Sequence, residues 1–354
     1  MAKWEYFCND PSHPSIIREF SQETTYREIL RKIEEKVTAG VAKEDVSDVL
    51  APELVLQLNS PAKSVEQGYR VQSMRRRIAD VWGEVFQQVD NLCFVTGWFV
   101  MDCMRTDNEE LHYVLCLFAL EGIRNVFATV NQLRSAFTQD TFGYWRTLYE
   151  TLVISRFIIR FASEDVDLPG RFLYFTNSRY LKFYEMFAPA DDKYATNNMW
   201  IESERQFESR FPDKTGKGDY GWVYPLLKNK RGDSIKKPDF RLLIDQVDKG
   251  SEFSEIYYNV ATSKTHGRFI WNPLMVRPEG RGVTFDPFSV GGIGLVLDLM
   301  MPVFEELLEN TAQTCTTPEH RIVRDIVRAL FKNVNGSIAD IKEADPSMHL
   351  GLDF

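Results

Sequence analysis

Charged and hydroxyl side chains at four-residue steps are the part of this sequence best suited to chemistry. Arg146 and Glu150 interrupt the apolar segment 141–163, and side chains four residues apart lie on one face of a helix. One interpretation is an intrahelical ion pair on a solvated face, although arginine before glutamate is the less favourable order for such a pair. The other is a buried polar site, because the neighbours are apolar and a charge buried without a partner costs several kcal/mol.

A second polar row occupies the segment 256–269, where Tyr258, Thr262 and His266 follow one another at four-residue steps. His266 precedes Gly267 and suits a helix end, where histidine interacts with the helix dipole and glycine forms the C-cap. Alternatively, His266 is a general acid or base oriented by Thr262 or Tyr258, since imidazole titrates near neutral pH. That chemistry requires the first polar row within reach, so we expect the two rows to meet between helices.

Motifs for metals and cofactors are missing from the sequence. No two of the histidines have metal-ligand spacing to each other; they are His13, His112, His266, His320 and His349. The run GGIGLVLD at 291–298 lacks the GK[ST] ending of a phosphate loop, and no GxSxG, HExxH or kinase motif is present. The sequence therefore predicts neither a metal centre nor a cofactor.

Helical periodicity covers most of the chain, without a strand ladder or an internal repeat. Apolar residues recur every three or four positions, as amphipathic helices require. The predicted helices span 21–38, 71–104, 109–137, 141–163, 171–187, 191–211, 240–247, 252–266, 289–312 and 318–335. We predict an all-α, multi-helix bundle with an N-terminal helical appendage and a long basic loop.

Proline and glycine positions divide the chain into three parts. Residues 1–70 form the predicted N-terminal helical appendage, 71–335 the bundle domain with the polar site, and 336–354 a C-terminal tail. The segment 212–239 holds four glycines and three prolines, which predicts an exposed, mobile loop. Its densest basic cluster consists of Lys228, Lys230, Arg231, Lys236 and Lys237.

Charge and cysteine usage limit the partners and the compartment. Lysine and arginine number 42 against 51 acidic residues, so the chain has no global field that attracts nucleic acid, and RNA binding would need a local basic patch such as this loop. The five cysteines form no CxxC pair, and residues 1–10 lack the apolar region of a signal peptide. We expect a cytoplasmic protein.

Apolar runs are too short to cross a bilayer. The longest lie at 93–101 and 291–304, below the roughly 20 residues that a spanning helix needs. We therefore expect no membrane segment.

The two polar rows resemble those of a widespread bacterial family of helical proteins known only as a domain of unknown function. Its members carry Arg-x-x-x-Glu in an apolar helix and, further along the chain, Tyr-x-x-x-Ser-x-x-x-His-Gly at a helix end. The matching positions are Arg146, Glu150, Tyr258, Thr262, His266 and Gly267. The resemblance covers roughly 110–300, and Thr262 replaces the usual serine while retaining a hydroxyl.

More distantly, the second row resembles the HEPN ribonucleases and toxins, which are helical and often dimeric. They carry an arginine, a polar residue and His-Gly near the end of one helix. Asn259 and His266 match this arrangement, and Tyr258 stands where the arginine is expected. The resemblance implies a metal-independent ribonuclease in which Arg146 or Arg268 stabilises charge on the phosphate.

Two functional hypotheses follow from these patterns. The first is a HEPN-like ribonuclease or toxin-type effector in bacterial stress response or phage defence. Its catalytic residues would be His266, Arg146, Glu150, Tyr258 and Thr262, and its RNA-binding residues Asn259, Arg268, Lys228, Lys230 and Arg231.

The second hypothesis is a non-enzymatic sensor or partner-binding bundle, in which the two polar rows form a structural hydrogen-bond network. Aromatic residues make up 13% of the chain, which favours thick helix-to-helix contacts, including contacts between subunits. We expect either a homo-oligomer or a protein partner encoded nearby.

Overall fold

The computed structural model describes residues 31–32, 35–40, 61–106, 109–187, 190–212, 216, 218–229, 231–257, 262, 292–315 and 317–344. In this part of the chain the protein is a multi-helix bundle, and an isolated bridge joins Lys228 to Ser234. The predicted all-α fold class is confirmed. Within the predicted appendage, residues 31–32 and 35–38 are helical.

Helices are numbered here in chain order. They are α1 (Pro61–Thr106), α2 (Glu110–Arg134), α3 (Thr141–Phe161), α4 (Leu168–Phe187), α5 (Ala190–Arg210), α6 (Phe240–Val247), α7 (Glu252–Ile256), α8 (Ile293–Ala312) and α9 (Pro318–Ala344). Short 3₁₀ turns occupy Thr138–Asp140 and Gly221–Val223.

The core lies where α2, α3 and α8 pack against one another, with α1 and α9 closing it. Its largest fully buried side chains include Trp82, Trp145, Tyr149, Phe157, Phe304 and Phe331. Each large apolar side chain contributes about 1.5–3 kcal/mol when fully buried. The apolar residues of each helix recur at helical spacing, so they lie on the face that packs into the core. These contacts fix the rotation of α3 and therefore the direction of its polar side chains.

Gly122 allows α2 and α8 to approach closely. A Cβ atom at this position would lie 3.2 Å from Leu307 Cδ1 and 3.4 Å from Phe304 Cδ2. The absence of a side chain therefore sets the separation of the two helices at the centre of the bundle.

The start of α1 and the end of α9 differ from the sequence prediction by nine residues or more, whereas the boundaries of α2, α3, α4 and α8 differ by fewer. α1 begins at Pro61 rather than at residue 71, so the predicted division at residue 70 falls inside a helix; proline suits the first helical position because its φ is already helical. α9 continues to Ala344, through positions assigned to the tail. Buried Val334 and Ile338 extend its apolar stripe past Gly336.

The glycine-rich loop is less exposed than predicted. Trp222, Val223 and Leu227 are buried in it, and the backbone carbonyl of Trp222 accepts a 2.6 Å hydrogen bond from Nε of buried Arg171 on α4. Apolar side chains in the loop thus pack onto the bundle. Lys228 and Arg231, by contrast, are exposed as expected.

α2 is long and apolar enough to cross a membrane by length and composition alone, which the sequence analysis did not anticipate. Within its most apolar stretch, 56% of the residues are buried inside the bundle. A buried core helix passes the same test, so this property does not by itself identify a membrane span.

Candidate functional site

The polar row of α3 meets the end of α7. Nε of Arg146 donates to Oε1 of Glu150 at 3.0 Å, and the hydroxyl of Tyr257 donates to the same oxygen at 2.5 Å. The Arg146 guanidinium also lies 5.5 Å from the centre of the Tyr257 ring, within the range of a cation–π contact. Segments far apart in sequence therefore share one polar cluster.

This cluster is neither fully buried nor fully solvated. The side chains of Arg146 and Glu150 retain 20% and 27% of their accessible surface, whereas Tyr257 is buried. The sequence offered an ion pair on a solvated face or a buried polar site, and the cluster lies between the two: the charges pair within α3, and Glu150 also contacts Tyr257 beyond α7.

Tyr257 makes a contact with Glu150 that the sequence did not predict. The sequence pattern favours Tyr258, which shares a four-residue spacing with Thr262 and His266, but neighbouring residues on a helix point about 100° apart. Tyr258, Asn259, His266 and Arg268 lie outside the described residues, as does Lys230. Thr262 is described, and its buried Oγ1 has no hydrogen-bond partner among the described residues.

A second network, centred on the buried carboxylate of Asp248, adjoins the first. Asp248, directly after α6, accepts hydrogen bonds from the hydroxyl of Tyr149 at 2.5 Å, from the hydroxyl of Ser251 at 2.6 Å and from Arg156 at 2.5 Å. The Asp248 side chain is only 8% exposed. Three donors on one carboxylate compensate for its removal from water.

Arg156 extends this network to α8. Its Nε and Nη2 atoms donate to the two carboxylate oxygens of Glu306, while Nη1 donates to Asp248. This planar, two-pronged geometry makes an arginine–carboxylate contact strong and directional. α3, α8 and the α6–α7 turn are therefore joined through one guanidinium.

The turn between α6 and α7 fixes Asp248 locally. Gly250 has a positive φ of 74°, a conformation that glycine adopts without steric cost. Ser251 then begins α7, because its Oγ accepts from the backbone N–H of Ser254 at 3.1 Å while its own hydroxyl bonds Asp248. The sequence DKGS thus encodes both the turn and the orientation of the carboxylate.

Aromatic rings surround both networks. The Tyr149 ring centre lies 5.3 Å from Tyr257, 5.6 Å from Trp145 and 6.5 Å from Phe240 and Phe253. These apolar walls limit the access of water and strengthen the enclosed hydrogen bonds.

Burial keeps both tyrosines neutral. Desolvation raises the pKa of the Tyr149 hydroxyl well above its ordinary range, and hydrogen bonding to Asp248 raises it further. Desolvation likewise raises the pKa of Tyr257, and the hydrogen bond to Glu150 adds to the rise. At neutral pH each phenol is therefore a hydrogen-bond donor to a carboxylate.

Arg156, Asp248 and Glu306 were not singled out from the sequence. Arg156 follows Tyr149 by seven residues and so shares its face of α3, which is a detectable signal. Asp248 and Glu306 have no such pattern, because they belong to other segments and only the packing of helices brings them to Arg156.

No protein family, curated protein or solved structure matches this chain.

The arrangement is chemically suited to holding helices together. Each of Glu150, Asp248 and Glu306 accepts hydrogen bonds from an arginine, a tyrosine or both. Carboxylates engaged in this way are fixed in position and have fewer lone pairs for a substrate proton or a cation. The exposed Lys228 and Arg231 belong to the separate basic loop.

Proposed function

We propose that this protein is a helical binding module, in which the polar network of α3 is structural and function resides in contacts with other protein chains. The observation that carries this proposal is the occupation of the network carboxylates by arginine and tyrosine donors of the same chain. Buried networks with satisfied partners specify how helices pack.

The surface available for such contacts lies between α1 and α2. Phe94 and Trp98 are 69% and 70% exposed, and Met101 and Phe127 more than 40%. Together with Leu120 and Ile123 they line a groove of 590 Å³, called here the aromatic groove. Large apolar side chains clustered in this way are typical of protein interaction sites.

A second copy of the chain is the occupant that fits this groove. Protruding aromatic side chains and the groove itself lie on the same face, and a two-fold dimer pairs one patch with its own copy. Trp98 of each protomer would then enter the groove of the other, with Arg105 at its margin stacking on an aromatic ring. Tryptophan and arginine are also the side chains that most often dominate binding energy.

Light scattering measures whether this dimer forms. We expect the wild-type chain to be dimeric at micromolar concentration and Trp98→Glu to be monomeric, because each protomer would bury an unpaired charge. Ile322→Glu is the matched control, since Ile322 is 63% exposed on α9, away from the groove lining. A monomeric wild type, or a Trp98→Glu protein that stays dimeric, would contradict the dimer; a different protein in the groove would contradict the choice of a second copy as its occupant.

A second candidate function is the HEPN-like ribonuclease. Arg146 and Glu150 retain partial solvent access, and Tyr257 of the same cluster immediately precedes the segment with Asn259, His266 and Arg268. A substrate phosphate could thus contact Arg146 while His266 transfers the proton. The exposed Lys228 and Arg231 would contact the RNA backbone.

RNA cleavage without added metal is the test of this candidate. We expect the wild-type protein to shorten a labelled single-stranded RNA, His266→Ala to leave it intact, and His349→Ala to cleave normally. Equal cleavage by wild type and His266→Ala would point to a contaminating nuclease and rule the mechanism out, as would intact RNA with the wild type.

A further inference from the structure

Three side chains that can bind a transition metal meet where α1 ends, α8 ends and α9 begins. The Sγ atoms of Cys103 and Cys315 and one ring nitrogen of His320 lie within 4.8 Å of one another. All three residues are buried, with exposed fractions of 0%, 7% and 4%. This grouping is called here the Cys/His cluster, and it is separate from the networks of α3.

His320 is held in the orientation expected of a metal ligand. Its Nε2 lies 3.2 Å from Oδ2 of Asp102, and its backbone N–H donates to Thr317 Oγ1 at 3.2 Å. Metal-bound histidines usually donate their second ring N–H to a carboxylate in this way. In the described part of the chain, the other ring nitrogen, Nδ1, is buried without a hydrogen-bond partner.

This unpartnered nitrogen is the second sign of a ligand. A buried polar atom without a partner costs free energy. With the Nε2 proton directed at Asp102, the lone pair of the ring is on Nδ1. A cation bound to Nδ1 of His320 would give this nitrogen the partner that it lacks.

A fourth donor lies beside the cluster. Cys116 Sγ is 3.6 Å from Nε2 of His112 and close enough to Cys103 to affect its ionisation. His112 is less suitable, because its ring nitrogens already lie 2.9 Å from the Cys103 carbonyl and 2.7 Å from Thr314 Oγ1. We therefore take Cys116 as the candidate for the fourth ligand of a tetrahedron.

We propose that Cys103, Cys315 and His320 bind a zinc ion, with Cys116 as the fourth ligand, and that the ion fixes the start of α9 against α1. Zinc prefers four ligands of this kind in closed structural sites. Two sulfurs that each bind zinc at about 2.3 Å lie about 3.8 Å apart. The ligand atoms of Cys103, Cys315 and His320, up to 4.8 Å apart at present, therefore need to approach one another by about 1 Å, and Cys116 has to join them from beside the cluster.

Binding would exchange protons for the metal. The hydrogen bond to Cys315 raises the pKa of the Cys103 thiol above its ordinary range, and burial raises it further. Each thiol that becomes a ligand releases its proton to solvent, and the thiolate forms the bond to zinc. Three thiolates give the bound ion a net charge of −1, and the neutral imidazole adds none.

The spacing of the histidines to one another gives no sign of this metal site. The Cys/His cluster instead combines a residue near the end of α1 with two residues flanking the α8–α9 connection. Cys315 and His320 are five residues apart, but Cys103 joins them only through the packing of α9 against α1.

Metal analysis and cobalt spectroscopy test the site on the full-length protein. We expect about one zinc per chain after purification, in line with one four-ligand site. After removal of zinc, Co²⁺ should give the intense visible bands of tetrahedral coordination together with thiolate-to-cobalt charge-transfer bands. Adding Zn²⁺ to the metal-free protein should raise its melting temperature by several degrees, because zinc binds the folded state.

Variants separate this site from other thiols. Cys315→Ala and His320→Ala should lose the cobalt bands and the thermal shift, whereas Cys93→Ala, a buried cysteine of α1 outside the cluster, should keep both. If a cluster variant fails to fold, the cobalt spectrum of the wild type still decides. A wild type without tetrahedral cobalt bands, or with a Cys103–Cys315 disulfide in place of metal, would overturn the proposal.

Discussion

Asp248 is the residue on which the α3 network depends most. Its carboxylate joins Tyr149 and Arg156 of α3 to Ser251 at the start of α7, and Arg156 in turn holds Glu306 of α8. Because the Asp248 side chain is only 8% exposed, its charge is balanced by these donors rather than by water.

We predict that Asp248→Asn destabilises the protein by about 3 kcal/mol, because the neutral amide removes a charge that pairs with Arg156 and leaves a single oxygen to accept from three donors. Urea unfolding followed by circular dichroism measures the change. Asp219→Asn is the matched control, because Asp219 also pairs with an arginine but is 84% exposed; it should unfold as the wild type does. Equal stability of the two variants would show that the network of α3 is not structural.

Tyrosine ionisation gives the network a second, pH-dependent signature. A tyrosine in the unfolded chain ionises near pH 10, whereas desolvation raises the pKa of Tyr149 and Tyr257 in the folded protein. Below pH 10 both states hold the proton, and above it only the unfolded state releases it. The free energy of unfolding therefore falls as pH rises above about 10, by up to about 1.4 kcal/mol per pH unit for each tyrosine.

We predict that a Tyr149→Phe/Tyr257→Phe variant is less stable at pH 8 but loses less stability between pH 9 and about pH 11. Chemical denaturation across this range measures both slopes. Some slope remains in the variant, because burial raises the pKa of the Cys93 thiol to about 12. If the free energy of unfolding falls equally steeply with pH in the wild type and the variant, the two phenols have the same pKa in the folded and the unfolded protein.

At the residue scale, the sequence revealed pairs within one helix but not contacts between helices. The spacing of Arg146 and Glu150 predicted their shared face, and they do pair. Their contact with Tyr257 depends on how α7 is rotated about its own axis. Asp248 and Arg156 meet because α6 packs against α3, which no local pattern encodes.

At the element scale, helical periodicity was sufficient to identify the described helices. α6 spans Phe240–Val247, as predicted, because Asp239 accepts from the N–H of Leu242 at one end and apolar spacing marks its length. Errors arose at Pro61, which begins α1 ten residues before the predicted start, and at Gly336, which lies within α9 although glycine often ends a helix. Tertiary packing outweighs such local preferences, which are worth about 1 kcal/mol for glycine.

Gly122 faces the side chains of another helix, whereas Gly336 faces open space, so substitutions at the two glycines should have different effects on helix packing. Gly122→Leu should destabilise the bundle by about 1–3 kcal/mol, because the side chain would separate α2 from α8. Gly336→Leu should be neutral or stabilising by up to about 1 kcal/mol, since nothing lies within 4 Å of a Cβ there and leucine favours helix. Thermal unfolding measures both, and a Gly122→Leu protein as stable as Gly336→Leu would contradict the close approach of the two helices.

At the scale of the whole molecule, the helices differ in how they are held. α2 packs against α1, α3, α4 and α8, whereas α5 packs chiefly against α4. An ion pair of 2.7 Å between Arg210 and Glu110 links the end of α5 to α2. On α4, Tyr180, Phe183 and Phe187 are exposed, so the α4–α5 pair buries less apolar surface than the central helices do.

We predict from this difference that α5 opens locally before the rest of the molecule unfolds, because local stability follows the buried contacts of each segment. Native-state hydrogen exchange, read by mass spectrometry at a concentration where the chain is monomeric, should show amides of α5 exchanging first and those of α2 and α8 last. Arg210→Ala should speed exchange in α5 and leave α2 unchanged, while Arg205→Ala, which removes an ion pair within α5 alone, should have a smaller effect. If α5 and α2 exchange at the same rate, the two belong to one cooperative unit and the partition of the bundle inferred from its packing is wrong.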